Sequence, residues 1–209
     1  MHPASIYQMD GTDAVCAHIR LHPFAMLAVN ASVSPIIAMV PLVLNSEEDC
    51  LIGHVSRRNP LASLKEQDLA ATAVFQGPHA YISPSWYPSK DVDGRAVPTW
   101  NYIAAEVRGV LRIERDVEEL NPYLSSLSQQ MEDGRENPWR LSDAPEDYLA
   151  RLRRGIVGLS LRITEMNGVK KLSQDDTQDD FNGVVRGLMS ETDPAAHAVA
   201  DEMLKMGIY

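Results

Sequence analysis

The sequence predicts a mainly β protein, a closed or nearly closed antiparallel barrel with helices packed outside it. Three observations carry the prediction. Apolar segments of strand length recur at 24–29, 36–44, 51–55 and 71–75. The connections between them are too short for parallel crossovers. The strand–helix alternation of a doubly wound sheet is missing.

Taken in order, the chain opens with a helix. Thr12 reads as its N-cap, Val15 and Ile19 line one face with His18 and His22, and Pro23 ends it. Turn-rich stretches then separate the strands, Asn30-Ala31-Ser32-Val33-Ser34-Pro35 and Asn45-Ser46-Glu47-Glu48-Asp49. Two longer strands are expected at 101–113 and 156–166. The second leads through Asn167-Gly168, a hairpin signal, into a further strand at 169–172. Helical spacing of Val117, Leu120, Leu124 and Leu127 marks 116–131. Pro145 opens a short helix holding Tyr148, Leu149 and Leu152. The tail, 179–206, carries two amphipathic segments split at Thr192-Asp193-Pro194, with Asp193 capping the second.

Composition limits the function. The chain has 209 residues, a length that fits one large domain, and 44% of them are hydrophobic, ordinary for a globular fold. Acidic residues number 29 against 19 basic, a net charge of −10, which opposes direct binding to DNA or RNA phosphates. The densest basic stretch, Arg151-Leu152-Arg153-Arg154, reads as the end of a helix, where cations complement the dipole. No run of about 18 apolar residues marks a membrane span. The start, Met1-His2-Pro3-Ala4-Ser5, lacks the basic-then-apolar pattern of a signal peptide. Cys16 and Cys50 stand alone and read as reduced thiols, so a cytoplasmic protein is expected.

Three clusters hold the groups that carry chemistry. Residues 77–90 pack four prolines or glycines, three aromatic rings and three serines into one stretch, and Val97-Pro98-Thr99-Trp100-Asn101-Tyr102 follows. Such rings must be covered, either as a lid on the barrel or as a platform for a flat ligand. In Gly53-His54-Val55-Ser56-Arg57-Arg58-Asn59-Pro60, the guanidinium pair beside Ser56 and Asn59 suits a phosphate, and equally suits a capping turn with solvated arginines. In Val169-Lys170-Lys171-Leu172-Ser173-Gln174, strand alternation puts Lys171 and Ser173 on one side.

These three stretches, with His22-Pro23-Phe24-Ala25-Met26-Leu27 and Asn137-Pro138-Trp139-Arg140, resemble the PaiB family of FMN-binding split barrels. The resemblance runs from about Arg20 to Gln174 in the family's order. It implies a six-stranded antiparallel split barrel at 1–176 with inserted helices. A C-terminal helical extension at 177–209 would pack on the barrel or on a dimer partner. It also implies a homodimer, FMN as cofactor, and a role as a negative transcriptional regulator. By motif match the FMN contacts are His54, Arg57, Arg58, Asn59, Ser85, Trp86, Thr99, Trp100, Asn101, Lys171, Ser173 and Gln174. Arg57 or Arg58 with Lys171 would neutralise the phosphate, Trp86 or Trp100 would border the isoalloxazine, and Asn101 and Gln174 would bond its polar edge.

The chain departs from the family pattern in ways that weaken a phosphate site. Met26, Met39 and Val40 replace hydroxyl and imidazole groups, and Asp175-Asp176 stand where the family continues with Asn and a basic residue. Two carboxylates beside a dianion repel it, less when solvated. Two alternatives to a regulator therefore stand: a flavin-dependent oxidoreductase of the pyridoxamine phosphate oxidase or flavin reductase type, and a split-barrel dimer without flavin. No catalytic acid, base or nucleophile is identified. The four-residue spacing of His18 and His22 suits a metal, but no third ligand accompanies them and no metal site is predicted.

Overall fold

The computed structural model describes residues 4–31, 33–65 and 68–207. Met1, His2 and Pro3 of the N-terminal stretch and Ser32 of the first turn lie outside the described residues. The chain divides into two compact units, Thr12–Phe75 with Glu106–Met166, and Met1–Gly11 with Gln76–Ala105 and Asn167–Tyr209.

The first unit is a barrel. Its strands are β1 (Phe24–Val29), β2 (Ile36–Leu44), β3 (Cys50–Ser56), and portions of β4 (Leu69–Ile82), β5 (Thr99–Glu114) and β6 (Ile156–Lys171). They close in the order β1-β2-β3-β6-β5-β4, and every register pairing is antiparallel. Alternation explains β1: Ala25, Leu27 and Val29 are buried, while Phe24 and Met26 face outward. Leu27, Leu42, Leu51, Phe75, Leu111, Leu159 and Leu161 fill the interior and are fully buried. Each such side chain stabilises the fold by about 1.5–3 kcal/mol relative to exposure. Helices α1 (Gly11–Leu21), α3 (Asn121–Glu132) and α4 (Glu146–Arg153) accompany the barrel sequence. Helix α1 begins at Gly11, so Thr12 sits inside its first turn instead of capping it. His18 meets the Phe75 carbonyl at 3.1 Å, and its ring lies 4.6 Å from that of His22.

The second unit packs helices α5 (Gln178–Ser190) and α6 (Pro194–Lys205) around Ala80, Ile82, Ile103 and Leu172, with the short α2 (Lys90–Asp93) nearby in sequence. Phe181, Val184 and Leu188 of α5 and Val199, Ala200 and Met203 of α6 complete this core. The expected break at Asp193-Pro194 is present, and Asp193 Oδ1 accepts from Ala195 N at 2.9 Å.

Two elements differ from expectation. Strand β4 runs on to Ile82, through residues expected to be loop. Its inward phase slips by one residue at Gly77-Pro78, the kind of irregularity at which a strand tolerates proline. Strand β6 passes straight through Asn167-Gly168 without a hairpin. Gly168 serves close approach instead of a turn, because a Cβ there would lie 2.4 Å from Met9 Sδ.

Trp86 is seated on α5 by a similar device: a Cβ on Gly187 would lie 2.2 Å from its ring. Gly187→Ala is therefore expected to cost about 1–3 kcal/mol by overpacking. Urea unfolding of the variant checks this, and an unchanged midpoint would refute the packing role assigned to Trp86.

Candidate functional site

The second unit contains a cavity of about 330 Å³ lined by Tyr7, Tyr87, Thr99, Lys171, Ser173, Asp175, Asp176 and Asp180, among others. The end of β6 supplies Lys171. Its ammonium donates to Thr99 Oγ1 at 2.7 Å and to the Trp100 carbonyl at 2.9 Å, tying β6 to the start of β5. Lys171 and Ser173 share the cavity while Leu172 is buried in the helical core and Lys170 pairs with Glu202 at 3.4 Å, as alternation requires.

Just beyond the strand, the chain turns at Ser173, whose φ of 63° is left-handed. The side chain of Gln174 stabilises that turn. Its Oε1 accepts from Leu172 N at 2.6 Å and its Nε2 donates to the Lys170 carbonyl. Asn101 is fully buried and donates through Nδ2 to Ser173 Oγ at 3.1 Å, while its Oδ1 has no partner among the described residues.

Three carboxylates, Asp175, Asp176 and Asp180, outnumber the two cations of the cavity, Lys171 and Arg95. Asp180 is buried, and burial alone would raise it. The Ser89 amide at 3.0 Å and the Thr177 hydroxyl at 3.0 Å outweigh that and hold its carboxyl below the usual range. Asp176 is pushed up by burial first, then by Asp175 and Asp180, against the relief given by Ser173 and Lys171. Burial and the neighbouring Asp176 push the Tyr87 phenol up to about 12. Tyr7 is raised by burial and by Asp175, whose Oδ2 accepts its hydroxyl at 2.7 Å. Both phenols therefore stay protonated and act as donors at neutral pH.

The remaining expected contacts of this unit do different things. Trp86 packs on Gly183 and Gly187, and Ser85 Oγ bonds Ser83 Oγ at 2.8 Å. Trp100 is 53% exposed, with its ring 6.2 Å from His79 and 6.1 Å from Tyr81. Thr99, Lys171 and Ser173 are thus the three expected contacts that meet at the cavity.

His54, Arg57, Arg58 and Asn59 belong to the barrel unit. Arg57 and Arg58 are exposed, and no ion pair engages either among the described residues. The Arg57 guanidinium donates to the Arg115 carbonyl at 2.9 Å and its backbone amide to the Gly155 carbonyl at 2.9 Å, and Asn59 Oδ1 caps the following turn through Leu61 N at 3.0 Å. His54 is half-buried, burial lowers its pKa, and its Nδ1 has no partner among the described residues. Met26 and Met39 face each other in register on the outer wall, both exposed, whereas Val40 points into the barrel core.

Sequence reasoning missed Tyr7, Tyr87 and Asp180 as cavity residues. Nothing local marks them, since Tyr7 lies 168 residues from the carboxylate that it bonds. Among the described residues no group of three His, Cys, Asp or Glu side chains is arranged to hold a metal ion. No helix among them is long and apolar enough to cross a membrane.

A closed barrel of six antiparallel strands defines a split-barrel protein. The fold is shared with the FAD and heme binding protein of Mycobacterium smegmatis, at a TM-score of 0.60 and 16% identity over 84% of this chain and 79% of that one. It is shared also with the flavocytochrome Anf3 of Azotobacter vinelandii, at a TM-score of 0.54 and 15% identity over 87% and 78%. In sequence the chain is 29% identical to the protease synthase and sporulation protein PAI 2 of Bacillus subtilis, over 97% of this chain and 96% of that protein. It is 30% identical to an uncharacterized protein of Emericella nidulans over 90% of each. The family described as "Putative FMN-binding domain" matches residues 1–165, and the chain belongs to it. The PaiB-type resemblance of the sequence is thereby established.

The crowding of Asp176 predicts a pH effect. A carboxyl raised in the folded state costs nothing below the ordinary aspartate range, where it is protonated folded and unfolded alike. The cost appears as pH rises through the folded value. Asp176→Asn should therefore gain roughly 0.5–1 kcal/mol at neutral pH, the scale of a screened charge interaction. The gain should vanish near about pH 3. Denaturation at both pH values decides it, and a gain that persists in acid would refute the charge account.

Proposed function

We propose that this protein binds a flavin, FMN in particular, and acts as a homodimeric, cytoplasmic negative regulator of transcription that senses the bound flavin. The family match over residues 1–165 carries this reading. The PAI 2 relative, named for protease synthesis and sporulation, supports the regulatory part. The net charge of −10 favours action through another factor over direct grip on DNA.

A phosphate dianion needs unneutralised cations, and Arg57 and Arg58 are exposed and free of ion pairs among the described residues. The cavity of Lys171 and Arg95 suits a phosphate less well, because three carboxylates share it and leave an excess of negative charge. Its acceptors and the Tyr87 phenol suit the ribityl hydroxyls and the polar edge of the ring, so Thr99, Lys171 and Ser173 are assigned to that uncharged part. Trp100 offers a half-exposed indole face to the isoalloxazine. FMN supplies reversible one- and two-electron chemistry when bound. The residues here bind and orient it, and none is assigned a proton-transfer step. The dimer reading rests on the outer wall of β1 and β2, where Phe24, Met26, Ile37 and Met39 stand exposed together.

The absorbance spectrum of the purified protein, with and without added FMN, tests the reading. Flavin bands and saturable binding are expected. Arg57→Ala with Arg58→Ala should weaken FMN about 10- to 100-fold, the worth of a charge-assisted hydrogen bond or two. A colourless protein that ignores FMN would instead establish the flavin-free dimer that Asp175 and Asp176 favour. Turnover of NADH or NADPH by the flavin-loaded protein would move the assignment to the oxidoreductase.

A further inference from the structure

The N-terminal segment reaches the cavity by few contacts. Residues Ser5–Tyr7 form a single 3-10 turn, and Ala4, Ser5, Ile6 and Gln8 are exposed. Gln8 makes an isolated antiparallel bridge with Val169, and Met9 N donates to the Gly168 carbonyl at 3.0 Å. The missing Cβ of Gly168 leaves the space that Met9 fills. Ahead of that anchor, the tethers are Tyr7 Oη to Asp175 Oδ2 at 2.7 Å and a 3.5 Å approach of Gln174 Nε2 to the Ile6 carbonyl. Tyr7 lines the cavity, and the Lys171 ammonium lies 5.9 Å from the centre of its ring. Ahead of Met9, which packs against the helical core, the segment holds among the described residues by these two tethers, and a stretch so held opens locally at low cost.

We propose that residues 5–9 form a strap across the cavity, anchored at Gly168, and that Tyr7 is its gating residue. Breaking the Tyr7–Asp175 hydrogen bond swings Tyr7 off the wall and exposes Lys171, Thr99 and Ser173; remaking it closes the wall over the ligand. The inference rests on the reading that the uncharged part of a flavin occupies this cavity. The shape of the gate does not depend on which ligand enters. Because the phenol keeps its proton, the tether is a neutral donor on a carboxylate at physiological pH.

Two readouts test the strap on the full chain. The first is amide exchange in the 4–10 peptide, which needs no ligand. The second is the rate of FMN association, followed by quenching of its fluorescence. Tyr7→Phe and Asp175→Ala should speed exchange by about fivefold to tenfold, as loss of a partly exposed charge-assisted bond allows, and should speed association by a similar factor. Asp175→Asn should keep the exchange protection, because a carboxamide oxygen still accepts the phenol proton. Thermal midpoints of the variants, expected close to the parent's, separate strap opening from general unfolding. Unchanged exchange in Y7F overturns the strap. Faster exchange with unaltered FMN association overturns the gate. Failure of the parent protein to bind FMN overturns the flavin reading, and the exchange data then still decide whether the strap exists.

Discussion

The ammonium of Lys171 organises the second unit. Held by the Thr99 hydroxyl and the Trp100 carbonyl, it fixes the end of β6 against the start of β5. The chain can then turn left-handed at Ser173 and deliver Asp175 and Asp176 to the same cavity. Two of the three ammonium donors are spent in this way. Its charge and that of Arg95 are outnumbered by three carboxylates, so the cavity wall carries an excess of negative charge.

The two cationic clusters singled out in the sequence differ in their surroundings. Arg57 and Arg58, just after β3, are exposed and engage in no ion pair among the described residues. The lysine of the last strand has a structural duty and an acidic neighbourhood. Each departure from the family pattern acquires a place as well. Met26 and Met39 enlarge an apolar outer wall, Val40 joins the barrel interior, and the two aspartates set the sign of the cavity.

Much of the fold was legible because period-2 burial is written directly into strands such as Phe24–Val29, and because Asp193-Pro194 is a local capping signal. What escaped was governed by contacts distant in sequence. Asn167-Gly168 carries turn chemistry, yet the segment at Met9 packs onto it and keeps it extended. The ring-rich stretch at 77–82 looked like loop, yet its alternation continues past a proline. Of the twelve expected contacts, Thr99 at the start of β5, Lys171 at the end of β6 and Ser173 in the turn that follows it line the cavity. The packing of Trp86 against Gly183 and Gly187 was not legible either, because those glycines lie far along the chain on α5.

The unbroken course of β6 has a practical corollary for protein engineering. By dipeptide statistics, Asn167-Gly168 would be the first place to graft a tag or open the chain for permutation. In the folded molecule it is among the worst, being mid-strand and covered by Met9. The exposed turn after α3, where Gly134 adopts a φ of 88°, is the tolerant position, since added residues there displace neither ladder nor core.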